Sequence, residues 1–162
     1  MQLIGEPLVA HMELRTVIAA PIGSVFDLAR SIDAHLGSMV KSRERAVGGV
    51  TSGLIGIGEQ VTWKATHFRV PFTMTSRITE MTVPDRFVDE QISGPFRKFR
   101  HEHRFERDAG GTTMVDIIDF ASPLGPIGRV VDRLGLKRYM AKIIRERNAF
   151  LKAAAETQHR SN

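Results

Sequence analysis

The sequence predicts an α+β fold in which a strongly curved antiparallel sheet wraps around one long C-terminal helix. Apolar residues in the segment 126–156 recur at spacings of three and four, as on one face of an α-helix. A helix of about 30 residues is roughly 45 Å long, so it must cross the whole domain. Between residues 10 and 122, short segments instead alternate polar and apolar residues, as in about six or seven strands separated by turns.

The first elements are a strand and two short helices. Polar and apolar side chains alternate over residues 11–18, which predicts the strand. Pro21 is suited to a helix start, and the apolar residues after it supply a buried face. A second helix is predicted over residues 31–39 with Ser31 as its N-cap. The glycine-rich segment 47–57 predicts a strand that is short or bulged.

Two strands around residue 70 can be aligned from their side-chain pattern. Apolar residues share one parity in each strand, whereas threonine and basic residues occupy the other. A tight connection at residues 68–71 would pair His67 with Phe72 and Trp63 with Ser76. His67 and His11 lie near strand ends and are predicted to be solvated.

The strictest alternation occurs over residues 98–107, which a hairpin turn at 108–111 joins to a strand at 112–121. The pairs in this register are His103 with Asp116, His101 with Ile118, Phe105 with Met114 and Phe99 with Phe120. On the other side, the turn at 93–97 places Asp89 opposite His101. Arg100 falls opposite Asp119 on the outer face, as a cross-strand ion pair.

Composition restricts the function classes. The chain has 162 residues, a formal charge of +5 and no cysteine, which excludes disulfides and thiolate metal sites. We expect one domain over residues 1–162, no signal peptide, no membrane span and a cytoplasmic location. Residues 126–156 contain eight basic and three acidic side chains, Arg147 among the basic ones, which predicts a basic outer face on the last helix. Gly135 interrupts that helix and predicts a bend or looser turn.

The order of these elements resembles the helix-grip fold of the SRPBCC superfamily, which includes START domains, the major birch pollen allergen and bacterial polyketide cyclase/dehydrase-like proteins. The motif A-P-I-G-S-V-F-D at residues 20–27 resembles the opening of that family. The segments 87–96, 101–105 and 122–128 resemble a bacterial branch known as cell-division-inhibitor-like. The resemblance covers residues 10–157 and implies a START-like ligand-binding domain. It brings no cofactor and no universal catalytic motif.

The space between a bent sheet and the helix is the default ligand site of such a fold. The residues predicted to bind the ligand are Trp63, Phe72, Met74, Asp89, Gln91, Phe99, His101, His103, Phe105, Met114, Asp116, Ile118, Tyr139, Met140 and Ile143. Among the apolar side chains of this set, His–carboxylate pairs would satisfy the buried polar groups.

Three interpretations of the polar residues stay open. They could form a buried structural network, or a patch that orients a ligand in an apolar cavity. They could also form a zinc or iron site or a general acid/base pair, with His101, His103 and Asp116 as catalytic candidates. We predict no bound metal, because the spacing names no further ligand.

The favoured function is binding of a small hydrophobic or aromatic molecule, such as a lipid, a quinone or a polyketide-like compound, by a carrier or sensor. One alternative is an enzyme of the cyclase/dehydratase type that uses a His–Asp pair. Another is a regulatory or membrane-surface module whose basic helix contacts acidic lipid. A specific nucleic-acid partner is not expected, because exposed aromatic residues do not accompany the basic face. We expect a monomer or a homodimer.

Overall fold

The structure is a computed structural model that describes residues 9–122 and 135–162. Its centre is a curved, seven-stranded antiparallel sheet with the strand order β1-β7-β6-β5-β4-β3-β2. The strands are β1 Ala10–Ile18, β2 Arg45–Gly49, β3 Gln60–His67, β4 Val70–Thr82, β5 Arg86–Ser93, β6 Lys98–Asp108 and β7 Gly111–Ala121. The helices are α1 Ile22–Ala29, α2 Ile32–Ser38 and α3 Lys137–Ser161. This arrangement confirms the predicted helix-grip fold.

The two short helices follow β1, as predicted. Pro21 lies just before α1 in an extended conformation, and α1 buries Ile22, Val25 and Phe26. The Ser31 hydroxyl accepts a hydrogen bond of 3.1 Å from the backbone N–H of Ala34, which caps α2. Because the cap fixes where α2 begins, the cap residue could be identified from sequence.

Strand β2 is short and bulged, as predicted, but it begins before the glycine-rich segment 47–57 and ends at Gly49. Its pairing with β3 shifts between Ala46 and Gly48. Gly49 has a φ of 68°, and a Cβ atom there would lie 2.1 Å from the carbonyl oxygen of Gln60. Only glycine fits so close an approach between the two strands.

The predicted register of β3 and β4 is wrong by two residues. His67 lies opposite Val70, and Trp63 lies opposite Met74. The chain reverses within Phe68 and Arg69 alone, whose φ angles of 50° and 62° are left-handed, as in the tight hairpin turns that match strand twist. A shift of two residues leaves every side chain on its original face, so the inward set predicted from parity is retained.

The registers predicted for β5, β6 and β7 are confirmed. Asp89 lies opposite His101, and His103 lies opposite Asp116. Arg100 lies opposite Asp119, but the predicted ion pair between them does not form. The Arg100 guanidinium instead contacts Glu102, and Asp119 contacts His11, its partner on β1, at 2.6 Å.

The first part of the predicted helix, residues 126–134, lies outside the described residues. Residues 135 and 136 form a π-helical turn, in agreement with the looser turn expected at Gly135. Helix α3 then runs five residues beyond Glu156, because no glycine or proline ends it there. No helix of the described segments has an apolar stretch long enough to cross a bilayer.

Helix α3 packs against β1, α1 and α2 through a stripe that includes Ile144, Leu151 and Ala155. The helical spacing predicts Phe150 as part of this stripe, but the residue is 40% exposed. Its ring lies against Gly37 of α2, where a Cβ atom would come within 2.9 Å of the ring. The missing side chain at Gly37 therefore lets the two helices approach.

Candidate functional site

A cavity of about 430 Å³ lies between the concave face of the sheet and α3. This volume falls within the range of pockets that bind small molecules, roughly 300–1,000 Å³. Most of the wall is apolar or aromatic, and it includes Trp63, Phe72, Met74, Phe96 and Phe99. A hydrophobic molecule could bury much of its surface against these side chains.

Ten of the fifteen residues predicted to bind a ligand line this cavity. They are Trp63, Phe72, Met74, Asp89, Phe99, His101, His103, Tyr139, Met140 and Ile143. The sheet supplies the first seven and α3 the last three. Their role in ligand binding stays a prediction. Strand parity and helical spacing nevertheless identified side chains that lie together around the cavity.

The other five do not line it, because a side chain that points inwards can still be covered by its neighbours. Phe105 and Met114 lie under α1, where the Phe105 ring centroid is 5.3 Å from that of Phe26. Ile118 is fully buried in a second apolar cluster, and Asp116 is fully buried beneath the histidines.

Gln91, the fifth, supports the turn between β5 and β6 and does not line the cavity. Its side-chain amide donates a 2.7 Å hydrogen bond to the carbonyl oxygen of Phe96, and its side-chain oxygen accepts one from the Phe96 N–H. Phe96 does line the cavity. Gln91 therefore acts on the site through the position of Phe96.

Two histidine–carboxylate hydrogen bonds form the polar part of the cavity wall. His101 Nε2 donates to Asp116 Oδ1 at 2.7 Å, and His103 Nε2 donates to Asp89 Oδ2 at 2.9 Å. Each bond runs diagonally, since the residues directly opposite each other are Asp89 with His101 and Asp116 with His103. The four side chains therefore form one connected group across β5, β6 and β7.

Helix α3 completes this group with two buried polar side chains, Arg147 and Asn148. Asn148 Nδ2 donates to Asp116 Oδ2 at 2.6 Å, and Arg147 Nη1 lies 3.6 Å from Asp116 Oδ1. Arg147 also donates to the carbonyl oxygen of Ala29 at 3.1 Å. We refer to Asp89, His101, His103, Asp116, Arg147 and Asn148 as the inner network.

Sequence reasoning missed both helix residues, and it wrongly placed Arg147 on the outer face of the last helix. Only 4% of Arg147 is exposed. Its position did carry a signal, because Arg147 and Asn148 lie three or four residues from both Ile144 and Leu151. A charged residue within the apolar stripe points inwards. Contact of the remaining basic face with acidic lipid stays a prediction.

Burial controls the charges in the inner network. Burial, together with the neighbouring His103, lowers the pKa of His101 to about 4, so its imidazole is neutral at neutral pH. Burial alone would raise the pKa of Asp116, but the two histidines beside it, His101 at 2.7 Å and His103 at 3.2 Å, outweigh burial and hold that pKa well below its usual value. Asp89 behaves in the same way through His103. Both carboxylates are therefore ionised.

His103 Nδ1 lies 3.2 Å from Asp116 Oδ1 without forming a well-aligned hydrogen bond, and it is the one buried side-chain atom of the described residues that has no such bond. Its ring stacks between His101 and Phe87, with centroid distances of 3.7 and 4.2 Å. The other nitrogen is fixed by Asp89, which lies on the cavity wall. His103 also lines the cavity, so its imidazole could exchange a hydrogen bond or a proton with a bound molecule once one of these carboxylate contacts opens.

Asp89, His101 and His103 also offer three ligand atoms within 4.8 Å of one another, a set that zinc or iron could use. An imidazole ligates a metal in the plane of its ring, about 2 Å from the nitrogen. The two rings are stacked with only 30° between their planes. One ring would therefore have to turn before both could ligate the same ion, and the observed arrangement fits hydrogen bonding better.

His67 lies at the wall of the cavity beside α3, which corrects the prediction that it is solvated. Its Nδ1 lies 2.7 Å from the Tyr139 hydroxyl, and the Phe68 ring packs on Tyr139 with centroids 4.5 Å apart. Burial lowers the pKa of His67. The first turn of α3 covers this strand end, which strand periodicity could not show.

Comparison with known proteins supports the same architecture. The family model described as "Polyketide cyclase / dehydrase and lipid transport" matches residues 9–156. No curated protein sequence matches the chain significantly.

Solved structures of low sequence identity share the fold. The Zhui aromatase/cyclase from Streptomyces sp. R1128 has a TM-score of 0.72 at 15% identity, covering 91% of this chain and 94% of that chain. The di-domain aromatase/cyclase StfQ from the steffimycin biosynthetic pathway has a TM-score of 0.74 at 16% identity, covering 93% and 52%. Ara h 8.0201 has a TM-score of 0.62 at 14% identity, covering 88% and 97%. At these identities the likeness is one of fold. The narrower likeness to the cell-division-inhibitor-like branch stays a prediction.

Proposed function

The chain belongs to the polyketide cyclase / dehydrase and lipid transport family, and we propose that it binds a small hydrophobic or aromatic molecule in the cavity between the sheet and α3. The observation that carries this proposal is the cavity of about 430 Å³, whose largely apolar wall includes the polar groups of the inner network. Burial of apolar ligand surface would supply the affinity, at roughly 25 cal/mol per Å².

The inner network would orient the ligand. Asp89, His101 and His103 reach the cavity wall, whereas Asp116 holds them from beneath. A carbonyl or hydroxyl group of the ligand could hydrogen-bond to this patch while its rings or chains contact Trp63. A polar group left unpaired there would cost about 1–3 kcal/mol, so the patch selects molecules with a matching group.

The test is native mass spectrometry of protein purified from the cells that naturally make it. We expect a bound molecule that is released on denaturation and that extracts into organic solvent. Ala65→Phe would fill part of the cavity from β3 and should lower the occupancy. Thr66→Phe, one residue away on the exposed face of the same strand, is the matched control. Equal occupancy in both variants would contradict binding in this cavity.

The His103–Asp89 pair supports a second candidate, catalysis of a cyclase/dehydratase type. A base on the cavity wall could remove a proton next to a ligand carbonyl, and the imidazole could return a proton to a leaving hydroxyl. The bond of 2.9 Å orients the ring for both steps.

This second candidate is tested with a linear polyketone analogue. Mass spectrometry would follow the loss of one water on cyclisation. His103→Asn should abolish the turnover, whereas Glu106→Gln, at an exposed position of β6, should retain it. If His103→Asn converts the analogue as fast as the unaltered protein, the pair serves binding only.

A further inference from the structure

The cavity has a second polar pair, His35 and Glu44, away from the inner network. His35 Nε2 lies 3.1 Å from Glu44 Oε1, and both residues line the cavity. His35 belongs to α2, and Glu44 directly precedes β2. Strands β3 and β4 separate β2 from β5, which carries Asp89.

The position of Glu44 follows from the pairing of β2 with β3. Ala46 lies opposite Trp63, whose side chain points into the cavity. Glu44 lies two residues before Ala46 and so continues the same face. Its side chain is 10% exposed, which is unusual for a carboxylate in an apolar wall.

The ring of His35 fixes one oxygen of this carboxylate. It packs on Trp63 with ring centroids 4.4 Å apart and 35° between the planes. Because the Trp63 indole holds the ring from one side, His35 presents its Nε2 to Glu44 in a defined direction. Glu44 Oε1 is therefore occupied by an internal partner.

The other oxygen of Glu44 has no partner within the described segments. His35 is the only group that bonds or pairs with this carboxylate, and no lysine or arginine there lies within ion-pair distance of it. The negative charge nevertheless acts inside the cavity, since it raises the pKa of His67 against the lowering caused by burial. The other oxygen is not among the fully buried atoms of the described residues, so it is open to a hydrogen-bond donor in the cavity.

We propose that Glu44, oriented by His35, forms a second polar subsite, and that the ligand is an elongated hydrophobic molecule with a polar group at each end. This inference rests on the proposed function, because it describes the occupant of the same cavity. An ionised carboxylate only accepts hydrogen bonds, so the group at Glu44 must be a donor such as a phenolic or alcoholic hydroxyl. The inner network takes the other end.

The distance between the subsites excludes a compact ligand with one polar group that serves both. Trp63 on β3, next to His35, lies two strands from Asp89 on β5. Two interstrand spacings amount to about 10 Å. A fatty acid with a single headgroup would therefore leave one polar subsite unpaired.

The first test uses the unaltered protein and two probes that differ by one hydroxyl group. These are para-hydroxy-trans-stilbene and its para,para′-dihydroxy derivative. Trp63 is the only tryptophan of the chain and lines the cavity, so quenching of its fluorescence reports binding. We expect the dihydroxy probe to bind about tenfold more tightly, as for one added hydrogen bond to a charged group.

The second test assigns that advantage to Glu44. In Glu44→Leu the two probes should bind within about twofold of each other, whichever end the monohydroxy probe used before. Glu44→Gln, which keeps the size and an acceptor oxygen, should retain part of the advantage and covers the case in which Glu44→Leu fails to fold. Glu59→Gln, at an exposed carboxylate before β3, is the control and should keep the full advantage.

The outcomes separate this inference from the proposed function. If both probes bind the unaltered protein equally, or if the advantage persists in Glu44→Leu, the second subsite is wrong while cavity binding stands. If neither probe quenches Trp63 and native mass spectrometry finds no bound molecule, the proposed function fails and the subsite fails with it.

Discussion

Strand β6 carries buried polar residues on both of its faces, and the two groups are built differently. On the concave face, His101 and His103 belong to the inner network. On the convex face, Glu102 has a side chain that is only 6% exposed. Its carboxylate accepts hydrogen bonds from Arg86 at 2.8 Å, Arg100 at 2.9 Å and Arg104 at 2.6 Å. We refer to Glu102 and these three arginines as the outer cluster.

The inner network and the outer cluster differ in how fully their buried polar atoms are hydrogen-bonded and in what surrounds them. Burial would raise the pKa of Glu102, but the three arginines outweigh it and lower the pKa to about 2. The arginine side chains are 22–51% exposed, so water reaches the rim of the outer cluster. In the inner network, His103 Nδ1 lies 3.2 Å from Asp116 Oδ1 without a well-aligned hydrogen bond, and the network borders a cavity. Buried polar groups that have an atom without a well-aligned hydrogen bond and that border a cavity therefore indicate a functional site better than burial alone does.

The largest expected effect comes from removing the central carboxylate of each group. Asp116→Leu leaves His101, Arg147 and Asn148 without their shared acceptor inside the protein and should lower the free energy of unfolding by about 3–5 kcal/mol. Glu102→Leu should cost only about 1–2 kcal/mol, because its arginines can turn to water. Urea unfolding followed by circular dichroism measures both.

Asp116→Asn is the matched control, since it keeps the shape and one acceptor oxygen and should be less harmful than Asp116→Leu. Equal losses for Glu102→Leu and Asp116→Leu would remove the energetic distinction between the two groups.

The second effect is a dependence of the free energy of unfolding on pH that is caused by His101 of the inner network. The pKa of His101 is about 4 in the folded protein against an ordinary value of 6.5, so between these values the unfolded chain binds more protons. The free energy of unfolding should therefore fall as pH falls from about 6.5 to 4, by roughly 3 kcal/mol in total. Glu102 begins to lose its contribution only as pH falls towards its ordinary pKa of 4.5.

Equilibrium unfolding between pH 7 and 5.5 checks the upper part of this window, where Glu102 stays ionised in the folded and in the unfolded chain. His101→Asn should flatten the dependence. Some slope should remain, because burial also lowers the pKa of His67 and acts in the same direction. An unchanged slope in His101→Asn would assign the acid sensitivity to other groups.

The third effect concerns ligand affinity. His103→Asn removes the imidazole that joins the cavity wall to Asp89, and it should weaken binding of the dihydroxystilbene about tenfold, as for one charge-assisted hydrogen bond. Glu102→Gln changes the next residue on the opposite face and should leave the affinity unchanged. Quenching of Trp63 fluorescence gives both dissociation constants. Equal weakening in the two variants would mean that the effect reaches the cavity through the fold of β6.

The alternation of polar and apolar residues predicted strand register and side-chain direction correctly where these depend on residues close together in the sequence. The alternation in β6 and the short turn after Asp108 determined the register with β7. The register with β4 could not be predicted, because Phe68 and Arg69 give no signal for a left-handed turn. The concave histidines followed from parity. The burial of Glu102 did not, since alternating charges are typical of a solvated face.

The pairs that join distant elements were also beyond the sequence. Arg147 was counted with the basic residues of its helix, although its position among apolar neighbours favoured burial. His35 and Glu44 meet only because α2 folds over the start of β2. No periodic pattern links a helix residue to a residue in the connection after it. Such contacts depend on how the elements pack, and the periodicity of the sequence does not predict that packing.

The smallest expected effect comes from the rim of the outer cluster. Arg104 has the most exposed side chain of its three arginines, at 51%, and among the described residues Glu102 is the one carboxylate that it contacts. Arg104→Gln should lower the free energy of unfolding by less than about 1 kcal/mol, since Glu102 keeps two guanidinium partners. Arg86→Gln should cost more, because Arg86 is less exposed and also pairs with Glu80. Added salt should reduce the effect of Arg104→Gln further, because an exposed pair is screened.

A loss above about 2 kcal/mol in Arg104→Gln would show that water does not replace the lost partner of Glu102 on the convex face. The outer cluster would then be as tightly constrained as the inner network, and only the cavity would distinguish the two faces of β6.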